Sequence, residues 1–374
     1  MSGIYLHIPY CKQACNYCDF HFSTSLRSKE ALVEALLAEF DLRRNYLSDK
    51  RIQTIYFGGG TPSLLPEKDT FRLLEKIYKL FDVSRDAEIT FECNPDDLSV
   101  EKLKELKRLE INRLSIGLQS FNEEELRWMN RAHTAEQSEA SVKRAQDKGF
   151  DNITIDLIYG SKFSSLRSWK ATLDKAVALG VPHLSSYNLT IEEKTRLGHD
   201  FRHQKEAAID DEQSAEMFME MSDRLEKHGF IHYEISNFAK EGFFSIHNSN
   251  YWKGEHYLGL GPSAHSFDGV SRQWNLPNNN TYIKQIAEGE GFYQREELTE
   301  AERFNEYMLI ALRTMWGVDI TYLKRTFDGE LVKHFLHESQ ALITNGSMAL
   351  KGECYVLTEK GKLLADRIAS ELFV

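Results

Sequence analysis

The stretch Ile4-Tyr5-Leu6-His7-Ile8-Pro9-Tyr10-Cys11-Lys12-Gln13-Ala14-Cys15-Asn16-Tyr17-Cys18-Asp19-Phe20 sets a short β-rich run directly ahead of three crowded cysteines. Ile4–Ile8 reads as a strand, and Cys11-x3-Cys15-x2-Cys18 as a loop leaving its carboxyl end. The same rhythm continues downstream, with strand candidates at Thr54–Phe57, Glu88–Phe91, Arg113–Gly117, Asn152–Ile158 and His183–Leu189. Between them, Lys29–Tyr46, Phe71–Leu80, Ser99–Arg108, Glu136–Lys148 and Ser168–Leu179 keep apolar residues at three- and four-residue spacing, the mark of amphipathic helices. Repeated βα units without a hairpin signal predict a parallel α/β barrel or a doubly wound sheet. Either architecture gathers ligands at the carboxyl ends of its strands. Cys11, Gly58-Gly59-Gly60-Thr61, Glu92, Gln119 and Asp156 all fall there. Six strands rather than eight would leave a barrel open on one side, wide enough for a large substrate.

After about Glu192 the rhythm is lost. Asp211–His228 has a helical pattern, and Phe230 to Asn280 is rich in Gly, His, Asn and aromatic residues. From Glu296 onward the pattern is helix, helix, helix, a hairpin around Gly352 and a last helix, an order similar to a winged helix. The expected division is therefore a barrel over 1–230, a connecting segment over 231–295 and a smaller, mainly helical winged-helix-like domain over 296–374. With 374 residues the chain is long enough for two or three compact units. Hydrophobic residues at 41%, charged residues at 28% and only 7 prolines exclude disordered and collagen-like classes.

Lys+Arg 46 against Asp+Glu 57 gives a net charge of −11, which argues against nucleic acid as a partner. The last segment, with 9 basic and 13 acidic residues, suits a packing or lid module better than a DNA reader. Met1-Ser2-Gly3-Ile4-Tyr5 carries no basic stretch followed by an apolar run, and no run of 18 apolar residues occurs, so a soluble cytoplasmic protein is expected. Five cysteines, three of them within eight positions, make a poor disulfide framework; such crowding points to a metal or a catalytic thiol.

Thiolates are the usual protein ligands of iron–sulfur clusters, and four irons normally need four. Three leave one iron open to a small chelating molecule, for which the amine and carboxylate of S-adenosylmethionine (SAM) are suited; reduction of the cluster could then cleave the sulfonium bond to a 5′-deoxyadenosyl radical. The plainer alternative is a structural zinc site with His7 or His21 as fourth ligand. Tyr17, inside the loop, could stack on adenine or simply pack. The Gly58–Gly60 run allows close backbone approach to a ligand, or it is a tight turn. Glu92 ends an apolar strand, where a carboxylate needs a ligand group or an ion-pair partner. Cys93 and Cys354 read as packed thiols.

The cysteine triplet, with Tyr5-Leu6-His7-Ile8-Pro9-Tyr10 ahead of it and Cys18-Asp19-Phe20 behind, resembles the radical SAM proteins, in the branch containing oxygen-independent coproporphyrinogen III dehydrogenase and its haem-chaperone relatives of HemW type. The resemblance implies a partial (β/α)6 barrel, a [4Fe-4S] cluster on Cys11, Cys15 and Cys18, and a SAM pocket at Tyr5, Tyr17, Gly59, Gly60, Thr61, Glu92, Gln119, Arg131, Asp156 and Thr190. The dehydrogenase carries a long extension before its cluster loop and a further cysteine where this chain has Phe20. His247-Asn248-Ser249-Asn250-Tyr251-Trp252 matches the His-Asn-x-x-Tyr-Trp motif of the haem chaperones, which implies haem contacts from His247, Asn248, Tyr251 and Trp252. Histidine is a common ligand of haem iron, and tyrosine and tryptophan pack on a macrocycle. A histidine in an aromatic loop can equally be structural, and His265 competes with it as ligand. The implied function is a carrier of haem to acceptor proteins, with an electron donor to the cluster and peripheral contact with membrane-bound acceptors; the alternative is radical decarboxylation of coproporphyrinogen III.

Overall fold

The computed structural model describes residues 2–206 and 208–374. Six parallel strands, β1 (Ser2–Ile8), β2 (Arg51–Gly59), β3 (Asp82–Cys93), β4 (Arg113–Gln119), β5 (Asn152–Tyr159) and β6 (His183–Asn188), lie side by side in chain order. No strand order reverses among them, so the sheet has no switch point and is not doubly wound. It curls instead: Tyr56 of β2, Glu92 of β3, Ser115 of β4, Asp156 of β5 and Tyr187 of β6 line one interior cavity of about 60 Å³. Apolar residues such as Ile4, Leu6 and Ile8 face the covering helices, and all three are fully buried. Those helices begin where sequence chemistry places them: Ser99, Thr134 and Ser165 each accept a hydrogen bond from a backbone N–H three residues on.

The segment expected as a connection, 231–295, is built into the sheet. Strand β8 (Asn237–Ala239) adds antiparallel to β6, and β7 (Ile231–Glu234) pairs antiparallel with β8 as the edge strand. Strands β9 (Tyr257–Leu260), β10 (His265–Phe267), β11 (Ser271–Asn275) and β12 (Tyr293–Glu297) extend the other edge beyond β1. Between β8 and β9 the chain crosses from one edge of the sheet to the other, and the helix Ile246–Trp252 lies in that crossing. These strands are three to five residues long and alternate irregularly, so periodicity alone did not reveal them.

One apolar core runs from Ile4 to Phe292 and a second from Phe304 to Leu372, with Ile235 packed against both. The second belongs to helices Glu300–Leu312, Ile320–Thr326 and Gly329–Thr344, two short closing helices, and strands β13 (Val318–Asp319), β14 (Met348–Lys351) and β15 (Cys354–Leu357). Its hairpin turns at Gly352, giving the winged-helix-like order. Among the described residues no helix is long and apolar enough to cross a membrane.

Candidate functional site

The loop after β1 is pinned on several sides. Cys11 N–H donates to Ser23 O (3.0 Å), Asn16 N–H to Met129 O (3.0 Å), and Asn130 Nδ2 to Ala14 O (2.7 Å). Lys12 pairs with Asp96 (2.7 Å) and with Asp97 beyond β3. Cys11, Cys15 and Cys18 are all free thiols and half-buried. Burial pushes Cys18 up to about 12 and raises Cys11, so binding iron there would release protons.

Two donors already address the sulfurs. Thr61 Oγ1 donates to Cys11 Sγ at 3.5 Å, and Arg131 Nη1 to Cys15 Sγ at 3.4 Å. Arg131 Nη2 is held by Asn94 Oδ1 (2.7 Å) and Gly117 O (2.8 Å), while Asn94 Nδ2 donates to Thr61 Oγ1 (3.1 Å). Asn94 therefore ties the donor on one cysteine to the donor on another. It was missed in the sequence, although it stands two places after Glu92 in the stretch singled out for that carboxylate. Arg131 Nε is buried without a partner.

Cationic and hydroxyl donors on half-buried sulfurs suit thiolates carrying an anionic cluster, and the orphaned guanidinium N–H suits an anionic ligand beside it. Zinc fits poorly. His7 Nδ1 bonds Tyr5 OH (3.0 Å) and its Nε2 bonds His21 O (2.9 Å), while His21 Nε2 bonds Asn279 Oδ1 (2.7 Å). Among the described residues no three Cys, His, Asp or Glu side chains converge where one ion could sit. A single zinc needs that convergence, whereas in a cubane each cysteine meets a different iron. Cys93 is buried with its thiol on Phe91 O, and Cys354 lies in β15 of the second core.

Glu92 faces the glycine run: its Oε2 accepts from Gly59 N–H (3.1 Å) and its Oε1 from Tyr56 OH (2.8 Å). Gly60 N–H donates to Ile8 O (2.9 Å), so both glycine amides are committed within the protein and a ligand amine would meet acceptors rather than free donors. The glycines are needed for closeness: a Cβ on Gly60 would lie 2.7 Å from Tyr10 N. Burial, with Asp156 nearby, raises Glu92 to about 7; burial raises Asp156, which accepts from Ser115 Oγ, to about 6. Gln119 ends β4 at a bulge with φ 65, a conformation disfavoured for a residue with a side chain. Tyr17 packs beside Met129, Ile158, Leu189 and Leu197. Tyr5 lies inside the barrel between Tyr56 and His7, and Thr190 is exposed just past β6.

The His-Asn-x-x-Tyr-Trp motif is placed elsewhere. It forms the helix Ile246–Trp252, whose first N–H groups, those of Ile246 and His247, donate to the buried Glu88 carboxylate (both 2.9 Å). His247 is buried, with Nδ1 on Thr54 Oγ1 (2.8 Å), Nε2 on Tyr251 OH (2.8 Å) and the ring stacked on Tyr56 at 4.9 Å. Burial, then Arg113, lowers its pKa to about 3. Thr54 and Glu88 pair in register and precede Gly58 and Glu92 by four residues, so the motif closes the amino end of the barrel, opposite the cysteine loop. Both ring nitrogens of the histidine expected to meet haem are already bonded to protein. Asn248 lines the interior cavity and Trp252 lies under the Arg313 guanidinium, so helical periodicity keeps His247 and Tyr251 together and turns Asn248 and Trp252 to other surroundings.

Comparison with known proteins agrees with this architecture. A model described as the radical SAM superfamily matches residues 5–190, and one described as the HemN C-terminal domain matches residues 298–364. The chain is 35% identical over 372 residues to the heme chaperone HemW of Bacillus subtilis, covering 98% of each protein. It is 33% identical over 378 residues to the heme chaperone HemW of Mycobacterium tuberculosis, covering 99% of this chain and 94% of that one. The solved structure of coproporphyrinogen III oxidase (HemN) from Escherichia coli, a radical SAM enzyme, is similar in fold, with a TM-score of 0.86 at 23% identity over 100% of this chain and 90% of that chain. The chain belongs to the HemW family within the radical SAM superfamily.

Proposed function

We propose that this protein binds haem and passes it to acceptor proteins in the cytoplasm, with a [4Fe-4S] cluster and SAM assisting or gating transfer. The observation that carries the reading is the cysteine loop: three half-buried thiols at one barrel mouth, two of them already addressed by Thr61 and Arg131, in a chain matched end to end by proteins named heme chaperones. Cys11, Cys15 and Cys18 would hold the cluster. Tyr17, Gly59, Gly60, Thr61, Glu92, Gln119, Arg131, Asp156 and Thr190 would surround SAM, with Tyr5 behind them inside the barrel. Bound together, cluster and SAM supply one-electron reduction of a sulfonium, for which an electron donor is a required partner. Arg131 would hold charge beside Cys15, and Glu92 would orient the glycine segment.

Haem would be cargo and would bind outside the barrel interior, because a cavity of about 60 Å³ admits a few waters and no macrocycle. Acceptors anchored in a membrane would be met peripherally. Titrating haem into anaerobically reconstituted protein, with and without SAM, should give a saturable absorption band whose affinity or transfer rate responds to SAM. Incubation with coproporphyrinogen III, SAM, a reductant for the cluster and an electron acceptor should yield no protoporphyrinogen; that product would overturn the carrier reading in favour of the dehydrogenase.

A further inference from the structure

With His247 sealed, the structure raises the question of which imidazole haem iron could reach. His7 and His232 also have both ring nitrogens bonded within the protein, and His133 and His183 are buried. His265 differs from all of these: it is exposed, and neither ring nitrogen has a hydrogen-bond partner.

Its surroundings suit a flat amphipathic molecule. His265 pairs in register with Trp274, and the two rings stack at 6.3 Å with an interplanar angle of 26°. Paired and alternate residues share one face of a sheet, so Phe267 and Arg272, themselves a register pair, stand on the same face. The opposite face is closed, since Gln273 accepts from Arg43, which caps the helix Lys29–Leu42, and Asn275 donates to Glu39 within it. The open face therefore presents an imidazole, an indole, a phenyl ring and a guanidinium together. Arg272, whose present partner is Glu306, supplies a cation for a carboxylate.

The patch also adjoins the cysteine loop. The turn from β9 into β10 is pressed against β1, where a Cβ on Gly261 would lie 2.6 Å from His7 O. The helix Asn279–Glu288, which follows β11, bonds His21 through Asn279 Oδ1, three residues past Cys18.

We propose that His265 is an axial ligand of haem iron, with Trp274 and Phe267 packing on the macrocycle and Arg272 meeting a propionate. This rests on the haem-carrier reading above and names the site at which the cargo sits. Iron bound to an exposed imidazole can be surrendered to a partner without unfolding the carrier, whereas His247 could bind iron only after losing a hydrogen bond and its stack on Tyr56.

The experiment titrates haem into anaerobically purified, cluster-reconstituted wild type, His265→Ala, His265→Gly and His247→Gln. The expected result is a shifted Soret band and affinity at least about tenfold weaker for His265→Ala, recovery of the wild-type band when imidazole is added to His265→Gly, and unchanged iron and sulfide content. The exposed position makes both His265 variants safe for folding, and circular dichroism checks this. An unchanged spectrum and affinity in His265→Ala overturns the assignment, as does loss of the band only in a folded His247→Gln. Wild type that binds no haem would overturn the carrier reading itself, a different failure.

Discussion

Replacing Glu92 by glutamine tests the electrostatics of the barrel mouth. Burial lifts this carboxyl from 4.5 to about 7, so the folded state holds its proton more tightly than the unfolded chain does. A raised carboxyl contributes stability that is fully present below pH 4.5 and lost as pH rises through about 7. Linkage puts the loss between pH 5 and pH 8 at about 2–3 kcal/mol. Glutamine carries no charge, keeps an acceptor for Gly59 N–H and lets the Tyr56 hydroxyl turn round to accept. The variant should therefore gain on wild type as pH rises. For a cooperative unit of ~290 residues, unfolding entropy of about 0.6 kcal/mol/K turns that gain into a Tm difference of about 4 °C at pH 8 relative to pH 5. Thermal unfolding of the cluster-free protein, followed by circular dichroism at both pH values, reads it. Asp156 still titrates in the variant, so the pH slope shrinks without vanishing. A difference between variant and wild type that is the same at both pH values would refute the reasoning.

Cys11→Ala, Cys15→Ala and Cys18→Ala should each lose most iron and acid-labile sulfide on anaerobic purification; stoichiometric zinc in the wild type would instead revive a single-ion site. Asn94→Ala removes a charge-assisted bond to Arg131 worth about 1.5–3 kcal/mol, and should speed cluster loss to a chelator while leaving the far-ultraviolet spectrum unchanged. Gly60→Ala forces a Cβ to within 2.7 Å of Tyr10 N, and should destabilise the cluster-free protein by about 1–3 kcal/mol in denaturant unfolding.

What the sequence disclosed and what it hid divide along physical lines. The six parallel strands were legible because strands buried on both faces read as apolar runs separated by long helical repeats. The barrel-mouth residues were legible because carboxyl ends of strands follow directly from that rhythm. Strands β7 to β12 were not, since a three-residue strand such as His265–Phe267 shows no period and takes its conformation from a partner elsewhere in the chain. Asn94 escaped because its role is relational: only folding brings Thr61 and Arg131 to its two ends. His247 was noticed for its chemistry, but which of its nitrogens remains available depends on Thr54, 193 residues away.

The pairing of β9 with β1 bears on how the protein is made. Gly3 pairs with Tyr257 and Leu6 with Leu260, so β1 waits for one flank until residues about 250 positions further along have been made. The cysteine loop, which follows β1 directly, is buttressed late by the β9–β10 turn and by Asn279. Contacts so distant in sequence form slowly. A nascent chain thus exposes three thiols long before their mouth is closed, and iron is best delivered to it after the β9–β10 turn and Asn279 have been made.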